Sequence, residues 1–151
     1  GTIAKEAVEL LAGPLAERGV AVEIAQDLPV VNVDRARIRE VMVNIIENAV
    51  KFMGDEPHPH IRISAETGSE MPVFSVRDNG IGINPKYLNR IFNLFEKLTP
   101  TMPGTGIGLP IVRRIIEVHG GKIWAESEGP GKGTTIRFTL PAAHDNPEEP
   151  D

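Results

Sequence analysis

Asp34 to Phe52 reads DRARIREVMVNIIENAVKF, and this stretch decides the fold class more than any other. Its apolar side chains recur every three or four residues, the spacing that gathers them on one face of a helix. They are Ile38, Val41, Met42, Ile45, Ala49 and Phe52. Asp34 stands just before this pattern, and aspartate favours the N-cap position because its side chain accepts a backbone N–H. We therefore expect a long helix with one buried face, which requires a second layer to pack against.

The segments on either side of this helix predict that second layer. Alternating or short apolar runs predict strands, and longer patterns predict helices. Strands are expected at 20–25, 61–65, 73–77, 122–126 and 134–140, an extended piece at 28–31, and helices at 2–18, 84–90 and 107–119, with Pro14 expected to kink or shorten the first. The strands at 61–65 and 73–77 should pair as a hairpin. This mixture predicts an α/β fold of the α+β kind: a two-layer sandwich whose mixed, mostly antiparallel sheet of about five strands packs against about three helices.

Composition narrows the function classes. The chain has 151 residues, a net charge of -5 and no cysteine, which excludes disulfides, thiolate metal sites and cysteine nucleophiles. The acidic balance argues against a broad nucleic-acid surface, and no apolar run approaches the roughly 18 residues that span a bilayer. One domain is expected over residues 1–141, followed by a disordered, acidic, proline-rich tail at 142–151. Because the chain opens at Gly1 directly in a helical pattern, we expect it to be a segment of a longer protein.

The first candidate functional residues border the apolar face of the long helix. At about 100° per residue, Asn44, Asn48 and Lys51 fall within roughly 60° of one another. An amide oxygen can complete the ligand shell of Mg²⁺ beside phosphate oxygens, and a lysine can meet a terminal phosphate. The set suits a metal-bound nucleotide, and the alternative is an ordinary solvated helix face.

A second candidate lies just past the strand predicted at 73–77, in Asp78-Asn-Gly-Ile-Gly82. Glycines allow a backbone to approach a flat ligand without interference from Cβ. An aspartate fixed there could accept a hydrogen bond from an exocyclic amine such as that of adenine. The alternative is a simple turn, because Asp-Asn-Gly is a strong turn former.

A third candidate is Gly104-Thr105-Gly106-Ile-Gly108-Leu109, which runs into the helix predicted at 107–119. Glycine-rich backbone that leads into a helix N-terminus can bind phosphate through free N–H groups and the helix dipole, and the alternative is a flexible hinge. The spacing does not match a Rossmann or P-loop motif. The catalytic motifs of eukaryotic protein kinases are also missing from the sequence.

The order of these motifs resembles the catalytic ATP-binding domain of sensor histidine kinases in two-component signalling. Five sequence boxes of that family have counterparts here: Asn44-Ile-Ile-Glu-Asn48-Ala-Val-Lys51-Phe52, Asp78-Asn-Gly-Ile-Gly82, Ile91-Phe92-Asn-Leu-Phe95, Gly104-Thr-Gly-Ile-Gly108-Leu and Gly131-Lys-Gly133-Thr. The resemblance covers about residues 1–141. It implies the Bergerat fold, which is similar to that of gyrase, MutL proteins and a heat-shock chaperone.

The resemblance also implies a role for each matching position, with ATP or ADP and Mg²⁺ as the bound groups. Asp78 would bind the adenine amine, Gly80 and Gly82 would shape the base pocket, and Phe52 would form one wall. Asn48 would ligate Mg²⁺ with help from Asn44. Phosphate contacts and a lid would come from Lys51, Lys97, Gly104, Thr105, Gly106, Gly108 and Leu109. Phe92 and Phe95 would anchor the lid or serve as ordinary core.

The implied activity is that of a protein-histidine kinase, which transfers the γ-phosphate of ATP to a histidine. None of the four histidines of this chain suits that acceptor role: His58 and His60 lie in a loop as a weak metal pair or as solvated residues, His119 suits a helix C-terminal cap favoured by the dipole, and His144 is in the tail. The acceptor is therefore expected on an upstream dimerisation domain, so the isolated chain should not phosphorylate itself.

Further expectations follow from the same resemblance. The parent is expected to be a homodimeric, cytoplasmic signalling enzyme, with or without a membrane anchor, that passes phosphate to a response-regulator receiver domain. One alternative is a nucleotide-dependent binding module, or degenerate kinase, that regulates a partner without phosphotransfer. Another is an ATP hydrolase, which is disfavoured because Asn44 stands where related hydrolases have a water-activating glutamate; Glu40 is the nearest substitute for that base.

Overall fold

A computed structural model describes residues 2–68, 71–83, 88, 90–92 and 108–141. Along the chain it contains α1 (Thr2–Leu10), α2 (Ala12–Arg18), β1 (Ala21–Ile24), α3 (Arg35–Lys51), β2 (His60–Glu66), β3 (Val73–Asp78), a 3-10 turn (Arg90–Phe92), α4 (Gly108–Val118), β4 (Ile123–Glu126) and β5 (Thr134–Thr139). The strands form one sheet in the order β1-β2-β3-β5-β4. Only the β1–β2 pair is parallel among these strands. The predicted α/β class, with a mixed and mostly antiparallel sheet, is confirmed.

Two sequence predictions lie outside the described residues. The short helix expected from Asn84 falls mostly on residues 84–87 and 89, and only its end meets the 3-10 turn at Arg90. The expected disordered tail at 142–151 is likewise not described. None of the described helices is long and apolar enough to cross a membrane.

The single helix expected at 2–18 is two helices, α1 and α2, separated at Leu11. Pro14 explains the position of the break, because proline cannot donate to the carbonyl four residues earlier and its ring clashes with that carbonyl. That carbonyl belongs to Leu10, the last residue of α1. Pro14 itself lies in the first turn of α2, where a missing N–H costs little. The expectation that Pro14 would affect this helix was correct, and the described part of the chain contains four α-helices.

Helix α3 forms as its pattern predicts. The side chain of Asp34 accepts a hydrogen bond from the N–H of Arg37, and Phe52 is the C-cap. Its buried face consists of Ile38, Val41, Met42, Ile45, Ile46, Ala49 and Val50. Phe52, which the pattern assigned to the core, is only half-buried. It therefore lies at the rim of the core, at the end of the helix.

The sheet has one apolar face and one polar face. Apolar side chains alternate along the central strands and pack with the helices, among them Ile61 and Ile63 of β2. Phe74 of β3 lies opposite Phe138 of β5, with ring centroids 5.5 Å apart. Arginines occupy the other face, including Arg62, which pairs with Glu23 of β1. This is the usual solution for an antiparallel sheet with one solvated face.

Helix α4 spans Gly108–Val118 and buries a narrower face than its sequence predicts. Ile111 and Val118 are apolar residues of the helix predicted at 107–119, but they are 40% and 71% exposed. They lie seven residues apart, so both fall on one outer side of the helix. The buried side consists of Leu109, Val112, Ile115 and Ile116. Single exposed apolar residues are normal on protein surfaces, so apolar identity alone overestimates the buried face.

Candidate functional site

An open cleft of about 490 Å³ lies between the C-terminal half of α3 and the adjoining ends of β3 and β5. Its lining is Ile45, Asn48, Ala49, Phe52, Val76, Asp78, Ile81, Gly82, Ile83, Ile91, Thr134 and Ile136. Most of these side chains are apolar, and the polar ones among the described lining residues are Asn48, Asp78 and Thr134. Such a lining suits a flat, largely apolar ring with polar atoms on its edge.

Asp78 is the principal charged group of the cleft. It is the last residue of β3, rather than a residue just past the strand as expected, and its side chain is buried at 8% exposure. Burial raises the pKa of the Asp78 carboxyl from 3.8 to about 6, while backbone hydrogen bonds from Gly80 and Thr134 partly oppose that rise. No ion pair among the described residues involves Asp78. Its carboxylate can therefore recognise a hydrogen-bond donor that enters the cleft.

The turn that was the alternative reading of this segment is also present. The N–H of Gly80 donates to Oδ1 of Asp78 at 2.9 Å, which is the hydrogen bond of an Asx turn. This bond occupies one carboxylate oxygen and orients the other. Asn79, to which the sequence assigned no role, holds the start of β2: its Oδ1 accepts from the N–H of His60 and its Nδ2 donates to the carbonyl of His58, both at 2.8 Å.

The glycines of this segment also serve a purpose that the sequence did not indicate. A Cβ on Gly80 would lie 2.3 Å from the carbonyl oxygen of Phe52, and one on Gly82 would lie 2.2 Å from that of Gly129. Gly82 also has a φ of +72°, which side chains other than glycine rarely adopt. The expectation that these glycines let backbone approach a flat ligand stays a prediction, and Gly82 does line the cleft. The two glycines admit neighbouring backbone, and that packing shapes the cleft.

Helix α3 brings only part of its predicted polar set to the cleft. Asn48 and Phe52 line it together with Asp78, whereas Asn44 and Lys51 do not. The lining residues of α3 are spaced by three and four, and Asn44 and Lys51 lie about 100° around the helix from Ile45 and Phe52. Asn44 donates through Nδ2 to the carbonyl of Glu40 at 3.0 Å.

The charged side chains near Asn44 and Asn48 on α3 lie outside the cleft. Lys51 is exposed at the last residue of the helix. The carboxylate of Glu40, the nearest substitute for a hydrolase base, lies 3.7 Å from Arg37. Neither Glu40 nor Glu47 lines the cleft.

The remaining predicted residues lie partly outside the described part of the chain and partly on α4 and the 3-10 turn. Lys97, Gly104, Thr105, Gly106 and Phe95 lie outside the described residues. Gly108 opens α4, as the glycine-rich motif predicted, and Leu109 is buried in the core rather than in the cleft. Phe92 is buried with the core, which favours a role as an ordinary core residue. Its neighbour Ile91 lines the cleft.

The turn between β4 and β5 contributes residues whose roles were missed. Thr134 lines the cleft and its backbone bonds to Asp78. Gly133 has a φ of +75°, and a Cβ there would lie 2.2 Å from the carbonyl oxygen of Asp78. The glycine pair Gly131-Lys-Gly133 was the sequence signal for this turn, but the sequence did not show which strand it would meet.

The described histidines do not form a metal site. His60 lies 3.6 Å from Glu23, and no group of three or more metal-binding side chains occurs in the described part of the chain. His119 does cap α4, with Nδ1 2.8 Å from the carbonyl oxygen of Ile115. Its Nε2, however, accepts from the backbone N–H of Asp34 at 3.1 Å. The predicted cap is therefore present, and the second bond links the end of α4 to the start of α3.

Comparisons with known proteins agree with this fold. Residues 33–144 match the family described as histidine kinase-, DNA gyrase B-, and HSP90-like ATPase. The methanogenesis regulatory histidine kinase FilI of Methanothrix harundinacea is 50% identical over 141 residues, which is 93% of this chain. The chain spans only 16% of the length of that relative.

Two solved structures extend the comparison. The crystal structure of full-length ShkA in complex with AMPPNP has a TM-score of 0.80 and 30% sequence identity, covering 94% of this chain and 30% of ShkA. The histidine kinase ThkA in complex with the response regulator TrrA has a TM-score of 0.74 and 28% identity, covering 94% of this chain and 40% of ThkA.

Proposed function

The chain belongs to the histidine kinase-, DNA gyrase B-, and HSP90-like ATPase family, and from that premise we propose that it is the part of a sensor histidine kinase that binds Mg²⁺-ATP and presents the γ-phosphate for transfer to a histidine. The observation that carries the proposal is a buried carboxylate, Asp78, in a mostly apolar cleft. The chain spans 16% of its relative FilI, so the acceptor and regulatory parts are proposed to lie in other domains.

The adenine end of the site follows from the lining of the cleft. The base enters between Phe52 and the rim at Ile81 and Ile83, and its exocyclic amine donates to the carboxylate of Asp78. The carboxylate has already lost water on folding, so a ligand with a correctly placed donor binds more tightly than one without it. This is the chemistry expected of a purine pocket that selects adenine.

The metal and phosphate end is assigned to α3 and α4. Asn48 lines the cleft, and its amide oxygen is a suitable Mg²⁺ ligand beside phosphate oxygens. Magnesium would neutralise phosphate charge as it builds up during transfer. Lys51, with Lys97 and the glycine segment from Gly104 to Leu109, is proposed to contact phosphate. Asn44 is proposed to support Asn48 from one turn away, as the other amide on that edge of α3.

The edge of α3 that carries Asn44 and Asn48 has no side chain that could act as a base to activate water. This favours phosphate transfer over hydrolysis. An amide at Asn44 cannot activate water, and the Glu40 carboxylate faces Arg37 rather than the cleft. In the proposed reaction, an imidazole nitrogen of the acceptor attacks the γ-phosphorus, the bond to the bridging oxygen breaks, and ADP leaves. The N–P bond forms as the bond to the bridging oxygen breaks, and the ring proton of the imidazole passes to solvent. Catalysis then depends on positioning and charge neutralisation by the nucleotide-binding part.

The proposed partners are of two kinds. The acceptor histidine lies on a dimerisation domain of a homodimeric, cytoplasmic parent, and the phosphate then passes to a receiver domain. The complex of ThkA, a structural neighbour, with the response regulator TrrA supports the second kind of partner.

Radiolabelled transfer by the full-length protein that contains this chain tests the proposal. We expect label from γ-phosphate-labelled ATP to appear in an acid-labile, base-stable form, as phosphohistidine does, and Asp78→Asn to abolish it. Nucleotide binding without any transferred label would identify a binding module instead. Release of inorganic phosphate by the 151-residue chain alone would identify a hydrolase.

A further inference from the structure

Ser127, the residue after β4, has a hydroxyl group that joins three segments around the cleft without lining it. Its Oγ accepts hydrogen bonds from the N–H of Ile83 at 3.1 Å and of Gly129 at 3.2 Å. It donates to the carbonyl oxygen of Gly133 at 2.7 Å, with that of Gly129 farther away at 3.4 Å. A serine hydroxyl has one proton and two lone pairs. All three are used here, so the group is fully satisfied.

The segments joined by this hydroxyl form two sides of the cleft. Ile83 belongs to the apolar rim. Gly133 precedes Thr134, whose backbone donates to the Asp78 carboxyl and whose side chain lines the cleft. The bonds from Ser127 therefore set the spacing between the rim at Ile83 and the start of β5, where Thr134 donates to Asp78. Ile83 is 44 residues away from Ser127 in sequence, so the link is purely tertiary.

Other contacts limit how this junction can relax. The N–H of Gly131 donates to the carbonyl of Ile81 at 2.6 Å, which ties the same turn to the same rim. Gly82 packs so closely on Gly129 that no Cβ fits between them. Loss of the hydroxyl would leave the N–H of Ile83 without its partner while these close backbone contacts persist. The rim would then move at Ile83 rather than detach as a whole.

We propose that Ser127 is a positioning residue for the base end of the cleft: its hydroxyl fixes the apolar rim at Ile83 relative to Asp78, and it acts without touching the nucleotide. This inference rests on the proposed function. Because it concerns the base end only, the effect should be the same for adenosine, ADP and ATP. A loss confined to the triphosphate would indicate a phosphate-end role and contradict it.

Titration calorimetry on the 151-residue chain tests the assignment. We expect Ser127→Ala to weaken adenosine and ADP binding alike by about tenfold, the effect of one lost buried hydrogen bond. Ser127→Thr, which keeps a hydroxyl, should recover most of that loss. Ser75→Ala is the matched control: Ser75 is 6% exposed and accepts a hydrogen bond from Arg137 at 3.2 Å on the polar face of the sheet. It should change stability but leave both affinities unchanged.

Amide hydrogen exchange provides a second readout that global destabilisation cannot imitate. In Ser127→Ala the amide of Ile83 should exchange faster by about tenfold, while the amide of Ile63 in β2 should not change relative to the Ser75→Ala control. If the alanine variant is unstable, the same comparison between Ser127→Thr and wild type replaces it, with near-wild-type exchange expected.

The failures of the two proposals are distinguishable. If wild type binds no adenine nucleotide, the proposed function fails. If wild type binds and Ser127→Ala binds adenosine and ADP equally well, with unchanged exchange at Ile83, the role of Ser127 is overturned while the proposed function stands.

Discussion

The carbonyl oxygen of Phe52 lies 2.3 Å from the position that a Cβ atom on Gly80 would occupy. The N–H of Ile81 donates to the same carbonyl at 2.9 Å. The segment that follows Asp78 therefore rests directly on the end of α3. This contact brings the carboxylate at the end of β3 and the amide of Asn48 into one cleft, although 30 residues separate them in the sequence.

Gly80→Ala should destabilise the chain by about 1 to 3 kcal/mol, the usual cost of overpacking against backbone that cannot move aside. Gly13→Ala is the matched control, because Gly13 lies in α2 with nothing within 4 Å of its Cβ position. That change should stabilise by about 0.5 to 1 kcal/mol. Urea unfolding followed by the single tryptophan measures both. Equal effects from the two substitutions would show that Gly80 is not tightly packed.

Asp78 should make the stability of the unliganded chain depend on pH. Its folded-state pKa is raised from 3.8 to about 6 by burial, so the protonated form favours the folded state. The stability it contributes is fully present below about pH 4 and is lost as the pH rises through 6. Asp78→Asn has no such titration, so its stability relative to wild type should rise by about 2 kcal/mol between pH 4.5 and 7.5. A difference independent of pH would contradict the raised pKa.

Asn48→Ala should remove most of the effect of Mg²⁺ on ATP affinity while changing adenosine affinity little, because the proposed metal ligand serves only the phosphate end. We expect a loss of about tenfold or more in the affinity for Mg²⁺-ATP. Titrations with and without Mg²⁺ measure it, and Asn32→Ala, at an exposed position before α3, is the control. Unchanged magnesium dependence in Asn48→Ala would remove Asn48 as the ligand.

His119 should be found as the neutral tautomer with its proton on Nδ1. Nδ1 faces the carbonyl of Ile115 at 2.8 Å, and Nε2 accepts from the N–H of Asp34 at 3.1 Å. The nitrogen chemical shifts of the ring at pH 8 distinguish the tautomers. His119→Ala should cost about 1 kcal/mol, because it removes the acceptor for the Asp34 N–H. His58→Ala, at an exposed loop position, should have no measurable effect. A proton on Nε2 would contradict this link between α3 and α4.

Local patterns were enough to predict most of the fold. The period of α3 and the Asp34 cap are properties of neighbouring residues, and the alternation of β2 and β3 predicted their hairpin. The break at Leu11 needed one further step, because Pro14 acts on a carbonyl four residues before it. The exposure of Ile111 and Val118 depends on which side of α4 meets the core, and sequence alone does not define that side.

The site was predictable in its residue types but not in its construction. Asp78 and Asn48 could be found because a carboxylate after a strand and an amide on a helix edge are chemically distinctive. Ser127 and Gly133 could not, because their importance comes from contacts with Ile83 and with the backbone of Asp78. Gly80 and Gly82 show the same limit. The sequence identified their positions, but it did not show that neighbouring backbone leaves no room for a Cβ there.

The central claim is that one buried carboxylate selects adenine. The most direct test is calorimetric titration of the 151-residue chain with Mg²⁺-ADP and Mg²⁺-GDP at pH 7.5, for wild type and Asp78→Asn. Guanine carries a carbonyl oxygen where adenine carries the amine, so wild type should prefer ADP by more than about tenfold, and Asp78→Asn should lose that preference. Equal affinity of folded wild type for the two nucleotides, or an undiminished preference in Asp78→Asn, would contradict the account.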